Sequence, residues 1–286
     1  MENIQNKDIQ VLYDVADASW VPHARAVCNM VLFQNHVVKT VFDHAKQRFV
    51  SLFAAKFNDQ EVEKLAEVLK EIVKNNSELP TRWFLSVPKT LLAPAVLYRE
   101  SMKMELISNQ QIIENNESIA SYPVKRLDAQ LIFAYDEQYD ALKREAALSI
   151  NQFLHIDAAW LDAVFLNHKG LPGLHLHFNI SDGFISLAVF LEGALQFYNT
   201  FNTITPEEVL YFVMFVSEQL KVNPLKDPYF YAGFIKKGDE TYNLLIKYIK
   251  NLKPEDRPAQ FSYCMPMLDI SGHLFYNALS TPVCES

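Results

Sequence analysis

The chain has 286 residues, half of them hydrophobic and 21% charged, with 34 Asp and Glu against 26 Lys and Arg and a net charge of −8. At about 150 residues per domain this length suggests two domains or one large duplicated unit, and the composition excludes a disordered chain. An acidic balance of this size repels phosphate backbones and argues against nucleic-acid binding.

The opening Met1-Glu2-Asn3-Ile4-Gln5-Asn6-Lys7-Asp8 is polar and lacks the apolar core of a signal peptide. No run approaches the roughly 18 apolar residues of a membrane helix. Cys28, Cys264 and Cys284 are odd in number and show no C-x-x-C spacing, so neither a disulfide framework nor a zinc knuckle is indicated. The expectation is a cytoplasmic, reduced protein without membrane insertion.

In chain order, His36 to Phe42 (HVVKTVF) is a β-rich run, followed by the polar turn Asp43 to Lys46 and a second run, Arg48 to Phe57. Asn58-Asp59 then precedes a helix from about Gln60 to Lys74, with Val62, Leu65, Val68, Leu69, Ile72 and Val73 on one face. Trp83 to Val87 predicts a short buried strand before Pro88. Residues 102–128 are rich in Asn, Gln, Ser and Glu and read as a long polar excursion. A strand at Gln130 to Tyr135 and a helix at Glu137 to Ser149 follow.

The second half repeats the first: strands at Phe184 to Phe190 and Leu195 to Phe201 around a turn, then a helix from about Pro206 to Leu220. Thr205 is its N-cap, Pro206 its first residue, and two glutamates fill its first turn. Val209 to Val216 is apolar nearly all round, which suits a helix sandwiched between a sheet and the other lobe, or a dimerisation face. A strand at Tyr229 to Ile235, a helix at Asp239 to Leu252 and a strand at Phe261 to Met265 complete the reading. A hairpin feeding a helix and then a strand thus occurs twice, predicting two α/β lobes with mixed sheets and a cleft between them, 1–165 and 166–286.

All seven glycines lie after residue 169, so the first half holds neither a P-loop nor a G-x-G-x-x-G turn, and the second half has no such motif. G-x-S-x-G and H-E-x-x-H are also absent. Two tandem copies of strand–strand–strand–helix–strand–helix resemble the actin-like ATPase (ribonuclease H-like) fold of actin, sugar kinases and heat-shock chaperone ATPases, most closely over Leu176 to Phe201. Phe197 to Phe201, Pro206 to Phe212, Glu218 to Leu220, Tyr231-Ala232-Gly233 and His273 to Asn277 look like an uncharacterised bacterial family labelled only as a domain of unknown function with this fold.

In active relatives an Asp positions Mg²⁺ and water, and neighbouring glycines let backbone amides grip the nucleotide phosphates. Against that pattern the Asp position falls on Asn179 and the first Gly position on Ser181, while the first-half turn from Val31 to His36 has neither residue. The adenosine-binding strand of relatives ends in paired glycines; here only Gly233 remains. The departures imply a pseudo-ATPase without cofactor, a cytoplasmic scaffold for an unknown protein partner and possible homodimer. A divergent ATPase or phosphotransferase with ATP and Mg²⁺ at Asn179, Ser181, Asp182, Gly183 and Gly233 is the alternative, although Asp182-Gly183 also reads as an ordinary turn. Asp14 and Asp17 read as solvated acids.

His175 and His177, spaced i, i+2 on a predicted strand, share a face, with His168 nearby in sequence. They suit a face toward solvent or the cleft, or a weak metal site needing a further ligand such as Cys28 or Cys264. Lys236, Lys237, Lys247, Lys250 and Lys253 form a modest basic stretch, read as a solvated face.

Overall fold

The structure, a computed structural model, describes residues 9–57, 61–74 and 78–285, the side chains of Ala146, Cys284 and Glu285 excepted. The expected helix entry at Asn58, Asp59 and Gln60 and the Cys284 thiol lie outside the described residues. The first sheet begins with β1 (Ile9–Ala16), β2 (Ala26–Leu32), β3 (His36–Asp43) and β4 (Arg48–Phe57). After α1 (Val62–Lys74) it takes up β5 (Thr81–Leu85). An inserted region follows: β6 (Thr90–Pro94), α2 (Lys103–Ser108), β7 (Glu117–Val124), β8 (Ala129–Asp136) and α3 (Gln138–Lys143). Then come β9 (Phe153–His155) and the long α4 (Ile156–His168).

The second sheet is built from β10 (Leu174–Ser181), β11 (Phe184–Leu191), β12 (Ala194–Asn202), then α5 (Pro206–Leu220), β13 (Tyr229–Gly233), α6 (Glu240–Tyr248) and β14 (Leu252–Pro254). The chain ends with β15 (Ser262–Tyr263) and α7 (Tyr276–Ser280).

The first sheet runs β1-β4-β3-β2-β5-β9, with β15 returning from the second lobe to pair with β4; the second runs β12-β11-β10-β13-β14. In both, three antiparallel strands are followed by a helix and by a strand parallel to the first, so β4-β3-β2-β5-β9 and β12-β11-β10-β13-β14 match strand for strand. This is the two-lobed mixed α/β arrangement the sequence predicts.

Packing follows the patterns read above. On α1 the residues Leu65, Val68, Leu69, Ile72 and Val73 are buried against the first sheet, as the 3.6-residue period requires. The polar excursion is occupied by α2 and β7, and β7 joins β8 and β6 in a third, three-stranded sheet. The helix expected from Glu137 to Ser149 breaks into α3 and a separate 3-10 turn, with Ser149 in the left-handed region at φ 51°. The helix α5 begins with the capping box Thr205–Glu208 expected from its sequence. It is not sandwiched: Val209, Val213 and Val216 face the second sheet, whereas Tyr211 and Phe215 are exposed, because nothing among the described residues covers its outer face.

Sequence periodicity misses α4, whose run IDAAWLDAVFLNH is apolar on every side. The reason is burial on all faces: Ile156 and Ala159 pack with the first sheet, and Trp160, Leu161 and Val164 pack with Ala188, Phe190 and Ala232 of the second. With α7, which touches β2, β3 and β13, it forms the joint between the lobes.

Candidate functional site

Where the lobes face each other, the β2–β3 turn of the first meets the β10–β11 turn of the second tip to tip. Both turns span two residues, Gln34-Asn35 and Asp182-Gly183, closed by Phe33 against His36 and by Ser181 against Phe184. Gly183 has φ +78°, and a Cβ there would lie 3.1 Å from Gln34 Oε1. The Asp182 carboxylate accepts from the backbone N–H of Asn35 at 2.8 Å and lies 2.8 Å from His36 Nδ1. These are the groups, a backbone amide and an imidazole, that an anion entering from the cleft would meet.

The joint continues on both sides. The Ser86 and Ser181 hydroxyls are 2.7 Å apart. Thr90 bridges to Tyr198 and Thr200, and Thr200 donates to Pro88 O. Behind them, Asp157 of α4 accepts from Ser186 at 2.6 Å and from Tyr198 at 2.8 Å. Gly233, at φ +89°, ends β13 so close to β10 that a Cβ would lie 2.0 Å from Ile180 O and 2.7 Å from Asn179 Oδ1. Only glycine fits that approach. The next residue, Phe234, lays its ring against Phe33 at 4.9 Å and His36 at 4.6 Å, reaching across to the first lobe.

The structure thus brings Asn179, Ser181, Asp182, Gly183 and Gly233 to one end of the second sheet. Asn179 is fully buried, and neither its Oδ1 nor its Nδ2 has a hydrogen-bond partner. Asp17, read as solvated, pairs with Arg48 at 3.0 Å, because β1 lies beside β4.

His175, His177, Asn179 and Ser181 alternate along β10 and make one polar face, while Leu176 and Phe178 pack on the opposite side in the core with α5. The polar face is buried rather than solvated, since the end of α4 and the segment after β14 cover it. His175 Nδ1 lies 2.7 Å from His177 Nε2, and His177 Nδ1 lies 2.5 Å from Glu255 Oε1. Glu255 Oε2 lies 2.9 Å from His168 Nε2. Burial pushes His175 down to about 3 and also lowers His177. Burial alone would raise Glu255, but His177 and His168 bring it to about 2. Cys28 and Cys264 do not join this cluster; each is buried in one of the two cores that flank the first sheet.

Sequence reasoning missed Glu255, His36 and Asp157. Glu255 and His36 carry no local signal, since each finds its partner only through tertiary contact. Asp157 and Asp162 do: carboxylates inside an otherwise apolar run must find buried partners. Asp162 accepts from the Arg126 backbone N–H at 3.1 Å, and burial raises its carboxyl to about 6.

Among solved structures, a Bacteroides thetaiotaomicron protein with actin-like ATPase fold and unknown function is similar over 81% of this chain and 91% of its own, at 17% identity and TM-score 0.69. The PilM-PilN type IV pilus biogenesis complex contains a chain similar over 93% of this one and 100% of its own, at 11% identity and TM-score 0.58. Ethanolamine utilization protein EutJ from Carboxydothermus hydrogenoformans covers 94% of this chain and 92% of its own, at 10% identity and TM-score 0.50. These likenesses establish the actin-like ATPase fold. No curated protein matches the chain. The model of the protein family of unknown function DUF3822 matches residues 32–252, and the chain belongs to that family.

Proposed function

We propose that this protein is a non-catalytic pseudo-ATPase that acts as a cytoplasmic interaction scaffold on the actin-like fold. The observation that carries this reading is the Asp182 carboxylate seated on Asn35 N–H and His36 Nδ1. An anionic side chain of the second lobe occupies the turn from which relatives of this fold would grip a phosphate. Phe234 adds an aromatic plug where the resemblance implies a second glycine. Both lobes are kept while the space between their turns is filled by the chain itself, which favours a fixed surface over a turnover cycle.

A structural relative that forms a complex, PilM with PilN, is consistent with a protein partner. The exposed apolar face of α5, with Tyr211 and Phe215, also offers a surface for a second copy.

A thermal-shift scan of untagged protein against ATP, ADP and GTP, with and without Mg²⁺, tests the reading. A ligand at 100 times its dissociation constant adds about 2.7 kcal/mol. The scaffold predicts a flat response. A Mg²⁺-dependent rise overturns it and favours the divergent ATPase or phosphotransferase. That alternative draws on the unpartnered Asn179 amide beside Gly233. It further requires Mg²⁺-dependent turnover that Asp182→Ala abolishes.

A further inference from the structure

Away from the two turns, three chain segments converge on one buried point. The last residue of α4 supplies His168, the middle of β10 supplies His177, and the residue after β14 supplies Glu255. One donor atom from each lies within 4.8 Å of the others. We propose that His168 Nε2, His177 Nδ1 and the Glu255 carboxylate bind one divalent transition-metal ion, with zinc the best chemical match.

The donor set selects the metal class. Two imidazole nitrogens and one carboxylate oxygen suit zinc and its first-row neighbours, whereas Mg²⁺ and Ca²⁺ take six or more oxygens. The surroundings provide what such a ligand set needs. His177 presents its other nitrogen to His175 Nδ1 at 2.7 Å. When a metal takes the place of the proton that His177 Nδ1 shares with Glu255 at 2.5 Å, Nε2–H of His177 donates to His175 Nδ1 and holds the ring with its Nδ1 lone pair on the ion. The rings are held in place: His177 stacks on Phe230 with centroids 4.8 Å apart, and His175 on Phe190 at 5.6 Å. Glu255 is anchored by its own backbone, whose N–H donates to Tyr231 O at 2.8 Å.

The point is also enclosed: the Glu255 carboxylate is 2% exposed and His177 is fully buried, so the protein itself walls off an ion held there. His168, 16% exposed, marks the way in from solvent. The bound ion staples the end of the inter-lobe helix and the crossing back to the first lobe onto the second sheet, so its role is to hold the lobes in register.

The test uses full-length, untagged protein stripped with chelator, and Co²⁺ and Zn²⁺ alone as probes. Co²⁺ is expected to bind one ion per chain with the intense visible absorption of a four-coordinate site, and Zn²⁺ to displace it and raise Tm. Glu255→Gln and His168→Gln, with folding checked by circular dichroism, are expected to lose the band and the Tm rise. His175→Phe is expected to keep the site but weaken it by roughly 10–100-fold. The absence of saturable binding by the wild-type chain overturns the proposal. So does a weak six-coordinate Co²⁺ spectrum, or binding that survives in both ligand variants. The wild-type spectrum decides the matter even if a variant fails to fold.

Discussion

The strands β2 and β10 occupy the same place in their sheets, take the same neighbours and end in turns of the same length, yet their inward faces differ. Aligned on the turns, Val27, Asn29, Val31 and Phe33 of the first lobe stand where His175, His177, Asn179 and Ser181 stand in the second. The parallel neighbour differs in the same sense: Phe84 and Leu85 end β5, where Ala232 and Gly233 end β13. The first lobe fills its side of the joint mostly with large apolar groups, Asn29 being the exception, fully buried and likewise without side-chain partners. The second keeps small residues and a polar row, buried at Asn179 without partners and at His177 with Glu255. Backbone register is therefore shared while side-chain character differs along the two rows.

The largest effect expected from breaking this asymmetry is at Gly233. Gly233→Ala forces a Cβ into Ile180 O and is expected to destabilise by more than about 3 kcal/mol, read as the denaturant midpoint. Leu85→Ala at the equivalent site of the first lobe is expected to cost about 2–4 kcal/mol by the different route of an empty cavity. An unchanged denaturant midpoint for Gly233→Ala would contradict the close approach assigned to β13.

Asp182→Ala removes the contact between the two turns and leaves His36 Nδ1 and Asn35 N–H facing the cleft. A loss of about 1–3 kcal/mol is expected. If the carboxylate fills an anion site, inorganic phosphate or sulfate should stabilise this variant more than the wild type in a thermal-shift titration.

Asp162 gives a pH signature specific to the joint. Its carboxyl is raised from 3.8 to about 6 by burial, so the unfolded chain holds fewer protons between these values and stability falls as pH rises through that window. The fall is worth roughly 3 kcal/mol, and Asp162→Asn should flatten it. Glu255, lowered to about 2, acts in the opposite sense, its contribution being lost as pH drops below about 4. Chemical denaturation at half-unit steps separates the two.

The smallest effect is expected at Tyr211, 60% exposed on α5. Tyr211→Ser should change the stability of a monomer by less than about 0.5 kcal/mol. A concentration-dependent loss of mass in light scattering would instead reveal self-association through that face.

Much of this fold is legible in the sequence wherever an element has two unlike faces. The helix α1 could be read from its period, because water on one side and core on the other impose an alternation; α5 could be read from its cap, and the hairpin strands β3, β4 and β11 from their β-rich composition, both their faces being largely buried. The helix α4 and the strand β2 could not, since burial on every side erases the pattern. The polar row of β10 was also legible as a row, through His175, His177, Asn179 and Ser181. What the row faces was not, because alternation reports that two faces differ and not which of them meets water.

By itself, then, the sequence determined the repeated order of strands and helices, through local periodicity, capping and turn residues. It also determined the departure from phosphate-gripping motifs, through the positions of its glycines. Only the tertiary structure decided that Asp182 meets His36 across 146 residues, that Glu255 meets His177 across 78, and that α4 is the joint. Such pairings depend on where the lobes come to rest against each other. That is set by the summed burial of two sheets around one helix, which no local pattern of residues encodes.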